Sequence, residues 1–177
     1  MGDTLLDRGT VSNNPPISPS EVAWRNGVQL LERRNYKDSI ALFQQAIDLE
    51  RQEGVKSPRM KFVSYLGLAL TLSQGKSEEG LKLCEQAVKR EFFDPDLYCN
   101  LGMVYLRHRM KSPAFEAFQK GLNLKPGHRR ILEELERYDH RSEPVFAFLP
   151  RGHAVNRLAG QLRFRLRTLF NSSNGNN

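Results

Sequence analysis

Cysteine is scarce in this sequence and long apolar runs are missing, and each of these features excludes a class of protein. Two cysteines among 177 residues are too few for a disulfide-stapled scaffold, so we expect a reducing compartment. No run of about 18 or more apolar residues occurs, which argues against a membrane-spanning helix. Residues 1–16 lack the basic start and the apolar stretch of a secretory signal. The sequence therefore predicts a cytoplasmic chain of single-domain length.

Motifs for catalysis and metal binding are missing as well. The glycine-rich phosphate motifs are absent. Cys84 is expected in the core, and Cys99 either there or facing a binding surface. No histidine has a partner at zinc-ligand spacing, and surface positions are predicted for all four: His108, His128, His140 and His153. We expect no catalytic residue, no metal site and no cofactor, and therefore no enzyme.

Positive charge is concentrated in one segment near the end of the sequence. The chain carries 27 Lys and Arg against 20 Asp and Glu, a net charge of +7. Residues 141–170 contain six arginines, no lysine and a single acidic residue, Glu143. A local excess of one sign predicts an acidic partner or surface.

A helix pattern containing a glycine recurs three times, and a second helix pattern follows each copy. The repeated glycines are 40 and 35 residues apart, at Gly27, Gly67 and Gly102. The apolar spacing within each copy indicates helices rather than strands. Ser77 and Ser112 are expected to cap second helices. Small residues recur where paired helices must approach closely: Gly27 with Ser39, Gly67 with Gly80, and Gly102 with Ala114.

This pattern resembles the tetratricopeptide repeat (TPR), a helix–turn–helix unit of about 34 residues. The resemblance covers roughly residues 20–127, with residues 50–58 as an insertion. The third copy has the fullest match, with Tyr98-x-x-Leu101-Gly102-x-x-Tyr105, Ala114-x-x-x-Phe118 and Pro126. The other two copies keep fewer positions: Gly27, Leu30, Phe43 and Ala46 in the first, and Leu66, Gly67 and Ala87 in the second.

The resemblance predicts an all-α, right-handed α-solenoid of three TPR helical hairpins, a capping helix and a C-terminal amphipathic helix. The expected capping stripe is Ile131, Leu132, Leu135 and Tyr138. Prolines at both ends of residues 144–150 disfavour a helix there. The expected segments are a disordered tail over 1–19, repeats over about 20–54, 60–93 and 95–127, a cap over 128–140, a proline-bracketed linker and basic helix over 141–170, and a disordered tail over 171–177.

In this family the first helices of successive repeats line a groove that binds peptides or helices of partner proteins. Carried over position by position, the implied groove lining is Trp24, Val28, Tyr65, Leu68, Asn100, Met103 and Leu106. The alternative for any one of these residues is a place in the core between repeats. The apolar character of the set favours an apolar helix face or an extended segment as the guest.

The co-chaperone branch of the family holds a C-terminal carboxylate with a clamp of two Lys, two Asn and one Arg. None of the corresponding residues here matches the clamp residue expected at its place: Trp24, Val28, Tyr65, Asp96 and Asn100. The resemblance therefore does not imply binding of a chaperone tail.

The C-terminal helix pattern is a second candidate for binding. Its apolar stripe runs through Val155, Leu158, Leu162, Leu166 and Leu169, beside the arginines Arg157, Arg163, Arg165 and Arg167. The helix could pack on the repeats, bind an anionic membrane surface or nucleic acid, or occupy the groove, as residues 144–150 could. Nucleic acid is the less favoured partner because the repeats are nearly neutral. We expect a non-catalytic adaptor with a protein partner, and an anionic-surface binder as the alternative.

Overall fold

Seven α-helices account for most of the residues that the structure describes. The computed structural model describes residues 17–75 and 77–139. No strand occurs within these two ranges. The helices are α1 Pro19–Glu32, α2 Tyr36–Gln52, α3 Met60–Gln74, α4 Glu78–Arg90, α5 Pro95–Arg107, α6 Lys111–Leu124 and α7 Arg129–Asp139.

The helices pack as three consecutive hairpins and a terminal helix. Within the hairpins α1 packs on α2, α3 on α4 and α5 on α6, and α7 packs on both α5 and α6. The all-α fold of stacked hairpins with a capping helix is confirmed. The predicted C-terminal amphipathic helix lies outside the described residues.

The first helices of the hairpins form one layer of the stack, and the second helices form the other. In the first layer α1 contacts α3, α3 contacts α5 and α5 contacts α7. Between the layers, the second helix of each hairpin packs on the first helix of the next, α2 on α3 and α4 on α5. The first helix of each following hairpin thus contacts both helices of the hairpin before it. We call the face formed by α1, α3, α5 and α7 the groove.

The predicted close approach of paired helices is found at the glycines. A Cβ added to Gly67 would lie 2.6 Å from the carbonyl oxygen of Gly80, and one added to Gly80 would lie 2.5 Å from the carbonyl oxygen of Gly67. In the third hairpin a Cβ on Gly102 would lie 2.4 Å from the Phe118 ring. Because no larger residue fits, these glycines set the distance between the helices of their hairpins.

Capping residues begin most of the helices, although one of the two predicted caps is wrong. The Ser77 hydroxyl accepts the backbone N–H of Gly80 at 3.1 Å, as predicted. Ser112 is not a cap, because α6 begins one residue before it, after Met110. The preceding turn closes at Arg109, whose φ of 63° is left-handed, so the helix starts earlier than the serine suggests. The sequence pattern did not reveal this turn.

The core runs continuously through the stack. The largest fully buried side chains come from every hairpin and from the cap: Phe43, Phe62, Leu97, Phe118 and Ile131. Cys84 is fully buried, as predicted. Leu132, predicted for the apolar stripe of the capping helix, is instead 45% exposed. Only part of that stripe therefore serves to cover the third hairpin.

Candidate functional site: the groove

Aromatic side chains form the floor of the groove at its α1 end. The Trp24 ring on α1 meets the edge of the Tyr65 ring on α3 at a centroid distance of 5.5 Å, and the Phe62 ring lies 6.1 Å from Trp24. Phe43 of α2 supports Tyr65 from beneath at 5.7 Å. Tyr65 is 6% exposed, whereas Trp24 is half-buried. Trp24 is therefore the aromatic ring that this floor offers to a guest.

Two further apolar side chains extend this surface. Val28 and Met103 each follow a repeat glycine directly, which gives them equivalent positions on α1 and α5. Both are half-buried and pack against the core. Together with Trp24 they supply partly exposed apolar surface on α1 and α5, and we call these three side chains the apolar strip.

A lysine closes one end of the aromatic floor. Lys61 of α3 places its ammonium nitrogen 4.2 Å from the centre of the Trp24 ring, a cation–π arrangement. The same nitrogen donates to Glu21 Oε2 at 2.7 Å. Its positive charge is therefore neutralised by a carboxylate of α1.

Glu21 belongs to a network that joins the first two hairpins. It also accepts from Arg25 and from Arg59, and Arg59 is bound to the buried Glu50 at the end of α2. Burial alone would raise the pKa of Glu21, but its bonds to Lys61, Arg25 and Arg59 outweigh that effect and lower the pKa. Glu21 is thus held in its charged form.

An arginine of the capping helix forms the other end of the floor. Arg130 Nη1 donates to the Tyr65 hydroxyl at 2.7 Å and to Asp96 Oδ1 at 2.9 Å, and Nη2 donates to Asn100 Oδ1 at 2.8 Å. Asn100 in turn donates to Ser64 Oγ at 3.1 Å. One guanidinium therefore ties α7 to α5 and α3, and its charge is balanced by Asp96.

One polar atom at the floor has no partner within the described ranges. The indole nitrogen Nε1 of Trp24 is shielded from solvent and makes no hydrogen bond to residues 17–75 or 77–139. A buried donor without an acceptor costs about 1–3 kcal/mol. Trp24 Nε1 is thus a buried donor that none of the described residues satisfies.

The structure divides the predicted groove residues into two groups. Trp24, Val28, Met103 and Leu106 are half-buried and retain exposed surface. Tyr65, Leu68 and Asn100 are buried, with Leu68 1% and Asn100 0% exposed. These three form the base of the groove and do not offer surface to a guest. The arginines predicted to bind an anionic partner, Arg157, Arg163, Arg165 and Arg167, lie outside the described residues, and that role stays a prediction.

Three charged residues of the groove were not predicted from the sequence: Glu21, Lys61 and Arg130. Their partners are 30 to 65 residues away along the chain in most cases, so no local spacing marks them. The sequence does show that Lys61, Asp96 and Arg130 hold matching positions near the start of their helices. These matching positions place Lys61, Asp96 and Arg130 on the same face of the stack.

The thiols are unsuited to chemistry in this fold. Cys84 and Cys99 are both buried, which excludes the groove-facing position considered for Cys99. Burial raises the pKa of the Cys84 thiol to about 12 and that of the Cys99 thiol also to about 12. At neutral pH the reactive thiolate is therefore almost unpopulated.

The prediction of surface positions is wrong for both histidines that the structure describes. The side chains of His108 and His128 are 6% and 7% exposed. His128 Nδ1 accepts the backbone N–H of Ile131 in the first turn of α7, and Nε2 lies 3.3 Å from Asp96 Oδ1. His128 thus helps to hold the capping helix in place.

Two other kinds of site are absent from residues 17–75 and 77–139. In that part of the chain, no cluster of His, Cys, Asp or Glu side chains could hold a metal ion. Nor does any helix there have the length and apolar character needed to cross a membrane.

No protein-family model matches the sequence. The comparison with curated proteins gives no match either. Among solved structures, the chain is similar to MamA residues 41 to the end from Desulfovibrio magneticus RS-1, at 20% identity and a TM-score of 0.49, over 69% of this chain and 65% of that one. It is also similar to the second TPR domain of human RPAP3, solved in complex with an HSP70 peptide, at 18% identity and a TM-score of 0.49, over 67% of this chain and 93% of that one. The chain thus spans about two thirds of the MamA chain, and both neighbours are TPR-type proteins.

Proposed function

We propose that the groove docks an apolar, uncharged segment of another protein, so that the chain acts as a non-catalytic adaptor. One observation carries this proposal: the apolar strip remains partly exposed, while the charged groups beside it are paired within the chain. Lys61 is bound by Glu21, and Arg130 is bound by Asp96. A charged guest would have to compete with these pairs, whereas an apolar guest needs only to cover the strip.

Burial of the apolar strip by a guest contributes favourable binding free energy. Transfer of apolar surface from water contributes about 25 cal/mol per Å², so completing the burial of each large side chain adds on the order of 1 kcal/mol. Trp24 is a half-buried, rigid aromatic side chain, and such residues dominate the energetics of many interfaces.

The proposal is tested with a random peptide library displayed on phage and selected on the full chain. Selected peptides should be rich in apolar residues and poor in charge. Met103→Arg should weaken the binding of a selected peptide by at least about tenfold, since it places a charge in the strip. Isothermal titration calorimetry gives the affinities.

A matched variant on α1 provides the control. Val22 is 45% exposed and lies about 200° around the helix from Trp24, outside the groove. Val22→Arg should leave peptide affinity unchanged, and circular dichroism should show that both variants keep the helicity of the parent. A peptide ending in the carboxylate of a chaperone tail should not bind, because the clamp residues are absent. Equal loss of affinity in Val22→Arg and Met103→Arg would refute a site in the groove.

A further inference from the structure

We propose that one edge of the helix stack binds the surface of an anionic phospholipid bilayer, through exposed phenylalanines that basic side chains surround. The edge is formed by the connections that lead from one hairpin to the next and to the cap: residues 53–59 before α3, residues 91–94 before α5 and residues 125–128 before α7. We call it the connection edge. It is distinct from the groove, and its binding to lipid is independent of the proposed function of the groove.

Contacts between neighbouring helix ends place the three connections side by side. Arg90, at the end of α4, donates from Nη1 to Ser57 Oγ in the first connection at 3.0 Å. A Cβ added to Gly121, near the end of α6, would lie 3.3 Å from the carbonyl oxygen of Pro95 at the start of α5. Since packed helices are about 8–10 Å apart, the three connections form a row roughly 20 Å long.

The connection edge carries the most exposed large apolar side chains of the described residues. Phe92 and Phe93 are 67% and 65% exposed, and their rings contact each other edge to face at a centroid distance of 5.6 Å. Val55 in the first connection is 39% exposed, and Leu124, directly before the third, is 45% exposed. Exposed apolar side chains thus follow one another along the row.

The exposed charges of the connection edge are almost all positive. Over residues 51–59, 89–94 and 125–129, six exposed side chains are basic and one, Glu53, is acidic. Two of the six pair with a carboxylate of their own helix. The other four make no ion pair within residues 17–75 and 77–139: Lys56, Lys89, Arg90 and Lys125. The half-buried carboxylates of Glu91 and Asp94 accept backbone N–H groups at the starts of α3 and α5, where the helix dipole offsets their negative charge.

A bilayer surface fits this arrangement for two reasons. Apolar side chains enter the boundary between headgroups and acyl chains without a matching pocket, because lipids rearrange around them. The headgroups of anionic lipids attract basic side chains, and each cation near the surface strengthens binding by about fivefold. A protein partner would instead need an apolar slot with an acidic rim along the whole row.

Sedimentation with lipid vesicles tests the proposal on the full chain. The chain should bind vesicles of equal parts phosphatidylserine and phosphatidylcholine at least about tenfold more tightly than vesicles of phosphatidylcholine alone. Phe92→Ser plus Phe93→Ser should weaken binding to the anionic vesicles by about tenfold or more, since two apolar rings no longer enter the bilayer. Lys89→Gln plus Lys125→Gln should weaken it by about fivefold for each charge removed.

The opposite edge of the stack provides matched control variants. The turns within hairpins lie there, at residues 33–35 and 108–110, because the two helices of a hairpin run in opposite directions. Met110→Ser removes an exposed apolar side chain from that edge, and Arg33→Gln plus Lys37→Gln removes two exposed basic ones. Both control variants should bind as tightly as the parent, and circular dichroism should show the helicity of the parent in every variant. An equal loss of binding in the control variants would overturn the proposal, since binding would then follow net charge alone.

A tryptophan placed at the connection edge reports insertion directly. In Phe93→Trp, vesicles that contain lipids with brominated acyl chains should quench the fluorescence of the added indole. The single tryptophan of the parent, Trp24, lies in the groove and should keep its fluorescence. If Phe93→Trp binds the vesicles without quenching, another surface such as the arginines of residues 157–167 holds the chain, and the proposal is overturned.

Two further results would overturn the proposal. The first is a parent chain that does not bind anionic vesicles, which would leave a protein with an acidic rim as the occupant of the edge. The second is unchanged vesicle binding in Phe92→Ser plus Phe93→Ser. Neither result bears on the binding of selected peptides in the groove, so the adaptor proposal is tested separately.

Discussion

At the scale of single residues, glycine carries the strongest signal that this sequence contains. Its three regular occurrences predicted where helices pair, because only a residue without a side chain allows two backbones to approach so closely. The structure places the carbonyl oxygen of Gly80 2.6 Å from where a Cβ on Gly67 would be. That neighbour is backbone and cannot rotate away.

We therefore expect Gly67→Ala to destabilise the protein by about 1–3 kcal/mol, although alanine is the better helix former. The added methyl group would force α3 and α4 apart. Gly127→Ala is the control, since nothing lies within 4 Å of a Cβ added there. Urea unfolding followed by circular dichroism measures both variants. An unchanged midpoint for Gly67→Ala would mean that the hairpin tolerates a wider separation than its geometry indicates.

The burial of individual residues was harder to predict from the sequence than the pairing of helices. Leu68 and Asn100 have positions that face the groove, yet both are buried, because neighbouring first helices and the side chain of Arg130 cover them. His108 and His128 were expected at the surface because neither has a partner residue at zinc-ligand spacing in the sequence. Their burial depends on residues that are close only in the folded chain, such as Asp96 for His128. A local pattern carries no information of that kind.

At the scale of elements, the capping helix α7 is held by polar contacts as much as by apolar ones. Ile131 is fully buried, but Leu132 is 45% exposed, so the apolar face of the helix is narrow. Arg130 adds hydrogen bonds to α3 and α5. The sequence predicted that a capping helix exists. It did not predict how the helix is anchored, because an arginine in a charged helix looks like a surface residue.

Substitution of the two adjacent arginines of α7 distinguishes these contributions. Arg130→Gln should destabilise the protein by about 1–3 kcal/mol, because it leaves Asn100 Oδ1 buried without its charged donor. Arg129 is largely exposed, and its ion pair among the described residues is with Glu133 on the same helix, so Arg129→Gln should have little effect. Hydrogen–deuterium exchange should show faster exchange across residues 129–139 in Arg130→Gln alone. Equal protection of α7 in both variants would contradict an anchoring role for Arg130.

At the scale of the whole molecule, charged contacts connect hairpins as well as helices. The insertion between α2 and α3 is closed by Glu50, which is 4% exposed and accepts from both the backbone N–H and the side chain of Arg59. Arg59 and Lys61 then bind Glu21 on α1. This network thus fixes the first two hairpins to each other. One of its members, Glu50, lies in the segment that interrupts the repeat pattern.

This network predicts how stability depends on pH. The pKa of Glu21 in the folded protein lies below its ordinary value of 4.5, so its contribution is complete above about pH 4.5 and is lost as the pH falls through the folded pKa. Glu21→Gln should lower the free energy of unfolding at pH 7 by about 1–2 kcal/mol and flatten the decline below pH 4.5. Urea unfolding between pH 3 and pH 7 measures both slopes. Parallel curves for the parent and the variant would exclude a lowered pKa at Glu21.

The central claim is that the apolar strip at Trp24 receives a guest chain, and the single tryptophan allows a direct measurement. Trp24 gives one indole cross-peak in a ¹H–¹⁵N correlation spectrum of the full chain. On titration with a library-selected peptide, we predict that this cross-peak shifts until the peptide saturates, as the surroundings of Nε1 change. A peptide that binds while the Trp24 cross-peak stays in place would show that the guest lies elsewhere and would contradict the account.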